Sequence, residues 1–160
     1  MADQELKVTT AGEHEIHAER WFDAPRERVW QAFTDPELIP QWWGLRSTTT
    51  IVDELELRPG GKWRFVQRSD DGSETGFRGE YREIRGPESL TWTFEWEGMP
   101  GHISTETVTF TEQDGGTLVS TASVFDNRED RDGMVESGME DGMRETYDRL
   151  AELLAKVRAA

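Results

Sequence analysis

One acidic residue, Glu106, has a position in the sequence that could support chemistry. Polar and apolar residues alternate over 103–112, so Glu106 shares a strand face with Val108 and Phe110. A buried carboxylate without a partner is strongly penalised, so Glu106 must pair, take up a proton, or lie in water at its strand end. In a pocket, burial would raise its pKa, and it could contact a polar group of a ligand.

Other ionisable residues offer weaker combinations. His102 has the parity of Glu106 but lies about 13 Å along the strand, so direct contact is not expected. An enzyme that relies on proton transfer would use Glu106, His102 or Glu80 as its proton acceptor. His14 and His17 are three positions apart and face opposite sides of a strand, which argues against a shared metal ion. We predict no catalytic residue, no metal and no cofactor.

Large rings and thioethers give the second chemical signal. Successive side chains on a short helix point about 100° apart, so one of Trp42 and Trp43 can pack inward while the other faces a pocket mouth. This many flat rings pack densely only with difficulty, which predicts an apolar cavity; the alternative is an ordinary aromatic core. The predicted pocket residues are Trp42, Trp43, Trp63, Phe65, Trp92, Phe94, Glu106, Val108, Met139, Met143 and Tyr147.

The bulk composition narrows the range of partners. The net charge of −15 repels phosphates, which argues against nucleic acid and anionic membranes. The absence of cysteine excludes disulfides, thiol catalysis and thiolate metal sites. Neither a signal peptide nor a membrane span is apparent, so we expect a cytoplasmic protein.

The elements that would position these residues follow from periodicity. We expect a strand near 16–22, a helix from Pro25 through Phe33, and a second short helix opening at Pro36. Period-two segments then predict strands at 48–57, 62–68, 74–84, 89–96, 103–112 and 117–124. Strand 89–96 is the clearest, with its large apolar residues, including Trp96, on one face. Apolar residues three to four apart predict one amphipathic helix from about Asp130 to near the C-terminus.

This order indicates an α+β domain in which a bent antiparallel sheet of about seven strands packs against a long helix. Two short helices follow the first strand. We expect a single domain over 13–158 and a flexible N-terminal segment over 1–12. Gly133, Gly138 and Gly142 in the first half of the long helix, with methionines at inward positions, allow close and adaptable packing.

Several short motifs resemble the SRPBCC or START-like superfamily, and within it the branch related to the activator of heat-shock ATPase. The resemblance covers roughly 13–157 and departs from the family in two places. Met143 follows Gly142 where members commonly carry tryptophan, and Glu56-Leu57-Arg58 stands where an aspartate often precedes the turn. The matching motifs are 24–30 (APRERVW), 32–37 (AFTDPE), 42–44 (WWG), 59–65 (PGGKWRF), 79–84 (GEYREI), 90–92 (LTW) and 138–150.

The resemblance implies a helix-grip fold, in which the curved sheet wraps around the C-terminal helix and encloses a cavity. It also implies binding of a small hydrophobic or aromatic molecule, whose identity the sequence does not give. Two other hypotheses stay open: an enzyme of the cyclase or hydrolase kind, which the resemblance also implies, and a cochaperone-like module that docks a heat-shock protein. A homodimer through a sheet edge or the long helix is compatible with the pattern.

Overall fold

The computed structural model describes residues 5–159, which form one eight-stranded antiparallel sheet and three α-helices. The strands are β1 (Lys7–Ala11), β2 (Glu15–Phe22), β3 (Thr48–Leu55), β4 (Lys62–Ser69), β5 (Glu74–Arg85), β6 (Ser89–Trp96), β7 (Ile103–Gln113) and β8 (Gly116–Val124). The helices are α1 (Arg26–Thr34), α2 (Arg128–Glu136) and α3 (Met139–Ala159), and a 3-10 turn covers Ile39–Gln41. None of the described helices is long and apolar enough to cross a membrane.

The sheet follows the order β1-β2-β8-β7-β6-β5-β4-β3. Strands β3 to β8 form a meander, and β2 pairs with β8, so the N-terminal hairpin of β1 and β2 joins the sheet beside the last strand of the meander. The register shifts between Val52 and Glu54 and between Tyr81 and Glu83. Bulges of this kind bend and twist a strand, and the bending helps the sheet curve around the helices. The helix-grip fold is therefore confirmed.

The N-terminal prediction needs a correction. Lys7–Ala11, expected to belong to a flexible segment, pairs with β2 along its whole length and adds an eighth strand to the predicted sheet. Leu6, just before it, is buried in the core. Only Val8 is an inward-facing apolar residue in this strand, so the alternation signal was too short to see. Residues 1–4 lie outside the described part of the chain.

The C-terminal helix is interrupted, contrary to the single helix predicted. Helix α2 starts after Asn127, whose side-chain oxygen accepts a hydrogen bond of 2.7 Å from the backbone N–H of Asp130. Gly138 has φ of +85°, which ends α2 in the left-handed conformation that glycine tolerates best. Helix α3 starts at Met139. The second short helix predicted from Pro36 is only the 3-10 turn at Ile39–Gln41.

The core lies between the concave face of the sheet and helices α1 and α3. In its densest part, Leu150 of α3 is fully buried, and Val29 of α1 and Val119 of β8 are equally inaccessible. The indole of Trp96, predicted to share the inward face of β6, is instead exposed at the end of that strand. Toward the N-terminus of α3 the packing is incomplete, and the candidate site lies there.

Candidate functional site

A cavity of about 460 Å³ lies between the concave face of the sheet and the first half of α3. Its mouth is marked by the exposed lining residues Leu45, Ser137 and Gly138, which belong to the segment before β3 and to the α2–α3 junction. A volume of this size is in the range of about 300–1,000 Å³ that is typical of small-molecule sites.

Most of the predicted pocket residues contribute to the cavity wall. Ten of the eleven line it: Trp42, Trp43, Phe65, Trp92, Phe94, Glu106, Val108, Met139, Met143 and Tyr147. The exception is Trp63, which stacks on Trp92 with ring centroids 4.4 Å apart. Its indole N–H donates a 3.1 Å hydrogen bond to the carbonyl of Thr93. Trp63 therefore supports the wall from behind and does not line the cavity.

The two adjacent tryptophans differ in burial and in the residues that they contact. Trp42 is almost fully buried, and its indole N–H donates to the Ala32 carbonyl at 2.8 Å. Trp43 is half-buried and stands edge-on to Phe65 and Phe77, with centroid distances of 5.1 and 5.3 Å. Both rings border the cavity, and Trp42 also anchors the segment to α1.

The segment at the mouth is attached to α3 through Gly44. The Gly44 carbonyl accepts hydrogen bonds from Arg149 Nη1 at 2.8 Å and from Thr146 Oγ1 at 3.3 Å. Gly44 has φ of +101°, and a Cβ there would lie 2.1 Å from the amide nitrogen of Gln67. Glycine is therefore required at this position, and α3 holds one rim of the mouth in place.

Glu106 lies inside the cavity, so the interpretation of a solvated strand end is wrong. It is opposite Trp92 of β6 and opposite Ser123 of β8, which makes a row of three residues across three adjacent strands. Trp92 Nε1–H donates to Glu106 Oε1 at 2.9 Å, and the Ser123 hydroxyl donates to Oε2 at 3.1 Å. Glu106 is only partly exposed, and it forms part of the cavity lining.

Burial shifts the acid–base properties of the polar groups in this wall. Desolvation raises the pKa of Glu106, and the bonds from Trp92 and Ser123 act in the opposite direction without cancelling that effect. The pKa of Tyr147 is raised to about 12, chiefly by burial, with the nearby Glu106 charge adding to the increase. The Tyr147 hydroxyl lies 3.5 Å from Thr121 Oγ1.

The other proton acceptors of the enzyme hypothesis lie outside the cavity. His102 Nδ1 lies 2.9 Å from an oxygen of Asp130, and its side chain is about half exposed. Glu80 pairs with Arg82 at 3.4 Å across an exposed part of β5. Glu106 is therefore the one residue of that hypothesis that the structure brings to the site. Within residues 5–159, no group of three or more His, Asp or Glu residues is arranged to hold a metal ion.

Several lining residues were not predicted. Ser123 and Thr121 were overlooked because they are polar, although they lie on the same buried face of β8 as Val119. The turn at Asp114-Gly115 could have revealed them, because a tight hairpin there pairs position 106 with 123. The other lining residues come from many separate elements, and only the way these elements pack together brings them to the cavity. They are Ile16, Phe33, Ile39, Gly44, Leu45, Gln67, Phe77, Phe125, Met134, Ser137, Gly138, Gly142 and Thr146.

A curved antiparallel sheet, closed by a C-terminal helix over an apolar cavity, defines the helix-grip class. The model of the family described as activator of Hsp90 ATPase homolog 1-like protein matches residues 23–155, so the chain belongs to that family. A search of curated proteins found no match.

Solved structures give the same assignment of fold. A crystal structure of a protein from Rhodobacter sphaeroides is 26% identical, with a TM-score of 0.89 over 95% of this chain and 99% of that one. A solution structure of a protein from Arthrobacter aurescens is 25% identical, with a TM-score of 0.85 over 94% and 91% of the two chains. Protein NE0264 from Nitrosomonas europaea, at 23% identity and a TM-score of 0.80 over 94% and 99%, shares the fold.

Proposed function

We propose that this protein binds a small hydrophobic or aromatic molecule in the cavity beneath α3. The observation that carries the proposal is the volume of about 460 Å³ that the protein's own rings and thioethers leave open. Burying apolar surface contributes about 25 cal/mol per Å², so a ligand that covers these rings would gain substantial binding free energy. The absence of nucleic-acid and membrane partners belongs to the same proposal, since a net charge of −15 repels phosphates. A cytoplasmic location is a further part of the proposal.

Titration with N-phenyl-1-naphthylamine, a neutral apolar fluorophore, tests the proposal directly. We expect saturable binding with one site per chain. A Gly142→Leu variant should reduce the affinity about tenfold or more, which corresponds to about 1.4 kcal/mol of binding free energy. A Cβ at Gly142 meets only Leu45 Cδ2, at 4.0 Å, so this lining position has room for a larger side chain, which would take up space beside the exposed Leu45.

Gly133→Ala is the matched control for the blocked mouth. Gly133 lies in α2, outside the cavity lining, and a Cβ there meets nothing within 4 Å. Both variants replace a helical glycine, so they share any general effect on helix formation. Equal affinities of the wild type and the folded Gly142→Leu variant would argue against this cavity, and no saturable binding to the wild type would reject the proposal.

Proton-transfer catalysis is the second candidate, and it rests on Glu106. A carboxyl group with a raised pKa in an apolar cavity has the properties of a general acid or base. Tyr147, the other titratable group in the lining, has its pKa raised to about 12 and gives little help near neutral pH. Conversion of bound ligands to a product, measured by mass spectrometry and abolished in Glu106→Gln, would favour the enzyme over the binding protein.

A cochaperone role is the third candidate, and the family description supplies its motivation. It is tested by measuring the ATPase rate of a purified Hsp90-type protein with and without this chain. A saturable increase in rate would favour it, and an unchanged rate would leave ligand binding as the better proposal. Size-exclusion chromatography with light scattering would establish whether the protein forms a homodimer.

A further inference from the structure

The described lining of the cavity has one acidic side chain, Glu106, but no lysine, arginine or histidine. A buried carboxylate keeps its charge only when hydrogen bonds and an opposite charge replace the water that it has lost, and otherwise it takes up a proton. Trp92 and Ser123 supply hydrogen bonds but no charge. The counter-ion for Glu106 is therefore missing from the protein's side of the cavity.

We propose that the ligand of this cavity is an organic cation, an amine carried on an apolar or aromatic body, whose ammonium group pairs with Glu106. This inference rests on the proposed binding function and specifies the chemical class of its ligand. The ligand would supply the positive charge that the lining lacks, while its body covers the rings.

The hydrogen bonds of Glu106 already orient it as an acceptor. An indole N–H can only donate, so Oε1 must accept from Trp92. An ionised carboxylate has about four acceptor positions on its two oxygens, and Trp92 and Ser123 occupy one on each oxygen. The free positions can receive donors from the cavity, and an ammonium group offers up to three.

The rest of the wall is also suited to a cation. Nine lining residues have aromatic rings: Phe33, Trp42, Trp43, Phe65, Phe77, Trp92, Phe94, Phe125 and Tyr147. Ring faces carry negative electrostatic potential and attract ammonium groups within about 6 Å of their centroids. The protein's net charge of −15 also attracts cations to the molecule as a whole. An anionic ligand would find repulsion from Glu106 and no positive partner in the described lining.

Four matched ligands test the charge preference by isothermal titration calorimetry at neutral pH. They are 4-phenylbutylamine, its uncharged isostere pentylbenzene, the ketone 5-phenylpentan-2-one and the anion 5-phenylpentanoate. We expect the amine to bind about 10- to 100-fold tighter than pentylbenzene, the factor that a hydrogen bond to a charged group commonly contributes. The anion should bind most weakly.

Variants assign the preference to Glu106. In Glu106→Gln, the affinity for the amine should fall to within about threefold of that for pentylbenzene, because the charge-assisted hydrogen bond has gone. Glu112→Gln is the control, since Glu112 lies on the same strand with a side chain 65% exposed. It should keep the preference. Retention of the preference in Glu106→Gln would overturn the assignment.

The outcomes separate this inference from the function on which it rests. If none of the four ligands binds and the fluorophore does not bind either, the proposed function fails. If pentylbenzene or the ketone binds as tightly as the amine, the cavity binds ligands but the proposed ligand class is wrong. If Glu106→Gln does not fold, the ¹³C signal of the Glu106 carboxyl in the wild type replaces it. The amine should lower the pH at which that signal changes to its ionised value, and an unchanged titration would reject the ion pair.

Discussion

The two halves of α3 face the same sheet but pack against it in opposite ways. In the second half, Leu150, Leu153 and Leu154 are buried against α1 and the strands beside it. In the first half, Met139 and Met143 flank Gly142, and the space beneath them is the cavity. We call these the closed half and the open half of the interior. Branched leucines fill one, and glycine and flexible thioethers leave the other unfilled.

The contrast extends to the aromatic residues. Around the closed half, Trp30 packs edge-on against Phe110 with ring centroids 5.5 Å apart, and Phe22 is fully buried, as in a dense core. Around the open half, rings such as Trp43 and Phe94 are only half-buried and face the cavity. One helix thus contributes to stability at one end and offers a binding surface at the other, so substitutions in the two halves should differ in kind.

The largest expected difference is between two truncations on α3. Leu150→Ala should lower the free energy of unfolding by about 2–5 kcal/mol, because it creates a void in a packed core. Met143→Ala should cost less than about 1.5 kcal/mol, because part of that side chain already borders empty space. Urea denaturation followed by tryptophan fluorescence measures both. Equal losses would show that the two halves are packed alike.

The junction between α2 and α3 gives the next largest effect. Gly138→Ala should lower the free energy of unfolding by about 1–2 kcal/mol, since φ of +85° is strained for any residue with a Cβ. Gly142→Ala, in an ordinary helical conformation, should be neutral or stabilising and is the control. Guanidinium denaturation of the pair separates backbone strain at the junction from the effect of side-chain bulk. A similar loss in both variants would contradict this reading of the junction.

A smaller effect of opposite sign is expected in α2. Gly133→Ala should stabilise the protein by about 0.5–1 kcal/mol, because alanine has the higher helix propensity and a Cβ there meets no neighbour. Thermal unfolding measures the gain, and the affinity for N-phenyl-1-naphthylamine should be unchanged. A loss of stability would mean that α2 depends on the freedom of this glycine.

The pH dependence of the free energy of unfolding tests whether Glu106, the carboxyl group in the open half, is desolvated. The pKa of Glu106 is raised above 4.5 in the folded protein, so the folded state holds its proton more tightly than the unfolded state does. The resulting stabilisation is fully present below pH 4.5 and is lost as the pH rises through the folded pKa. Glu106→Gln lacks this titration, so its stability relative to the wild type should increase with pH over that window. A difference that does not change with pH would show that Glu106 is not desolvated.

Much of the architecture follows from local patterns. The alternation in 89–96 predicted β6 with the bounds that the structure has, and the turns rich in Gly, Asp and Pro separated the strands of the meander. Three features were missed for local reasons. β1 has too little alternation, Trp96 lies at a strand end, and a helical period cannot show which of three glycines interrupts the helix.

For ten of the eleven predicted pocket residues, the sequence by itself determined that they face the candidate site, because the direction of a side chain follows from the period of its own element. It therefore identified the rings, the methionines and Glu106. Only the tertiary structure decided that Glu106 lies between Trp92 and Ser123, that Trp63 stands behind the wall, and that a cavity of about 460 Å³ remains beneath α3. The physical reason is that a volume depends on the distances between elements. Sheet curvature, bulges and helix breaks set those distances jointly, and no single segment encodes them.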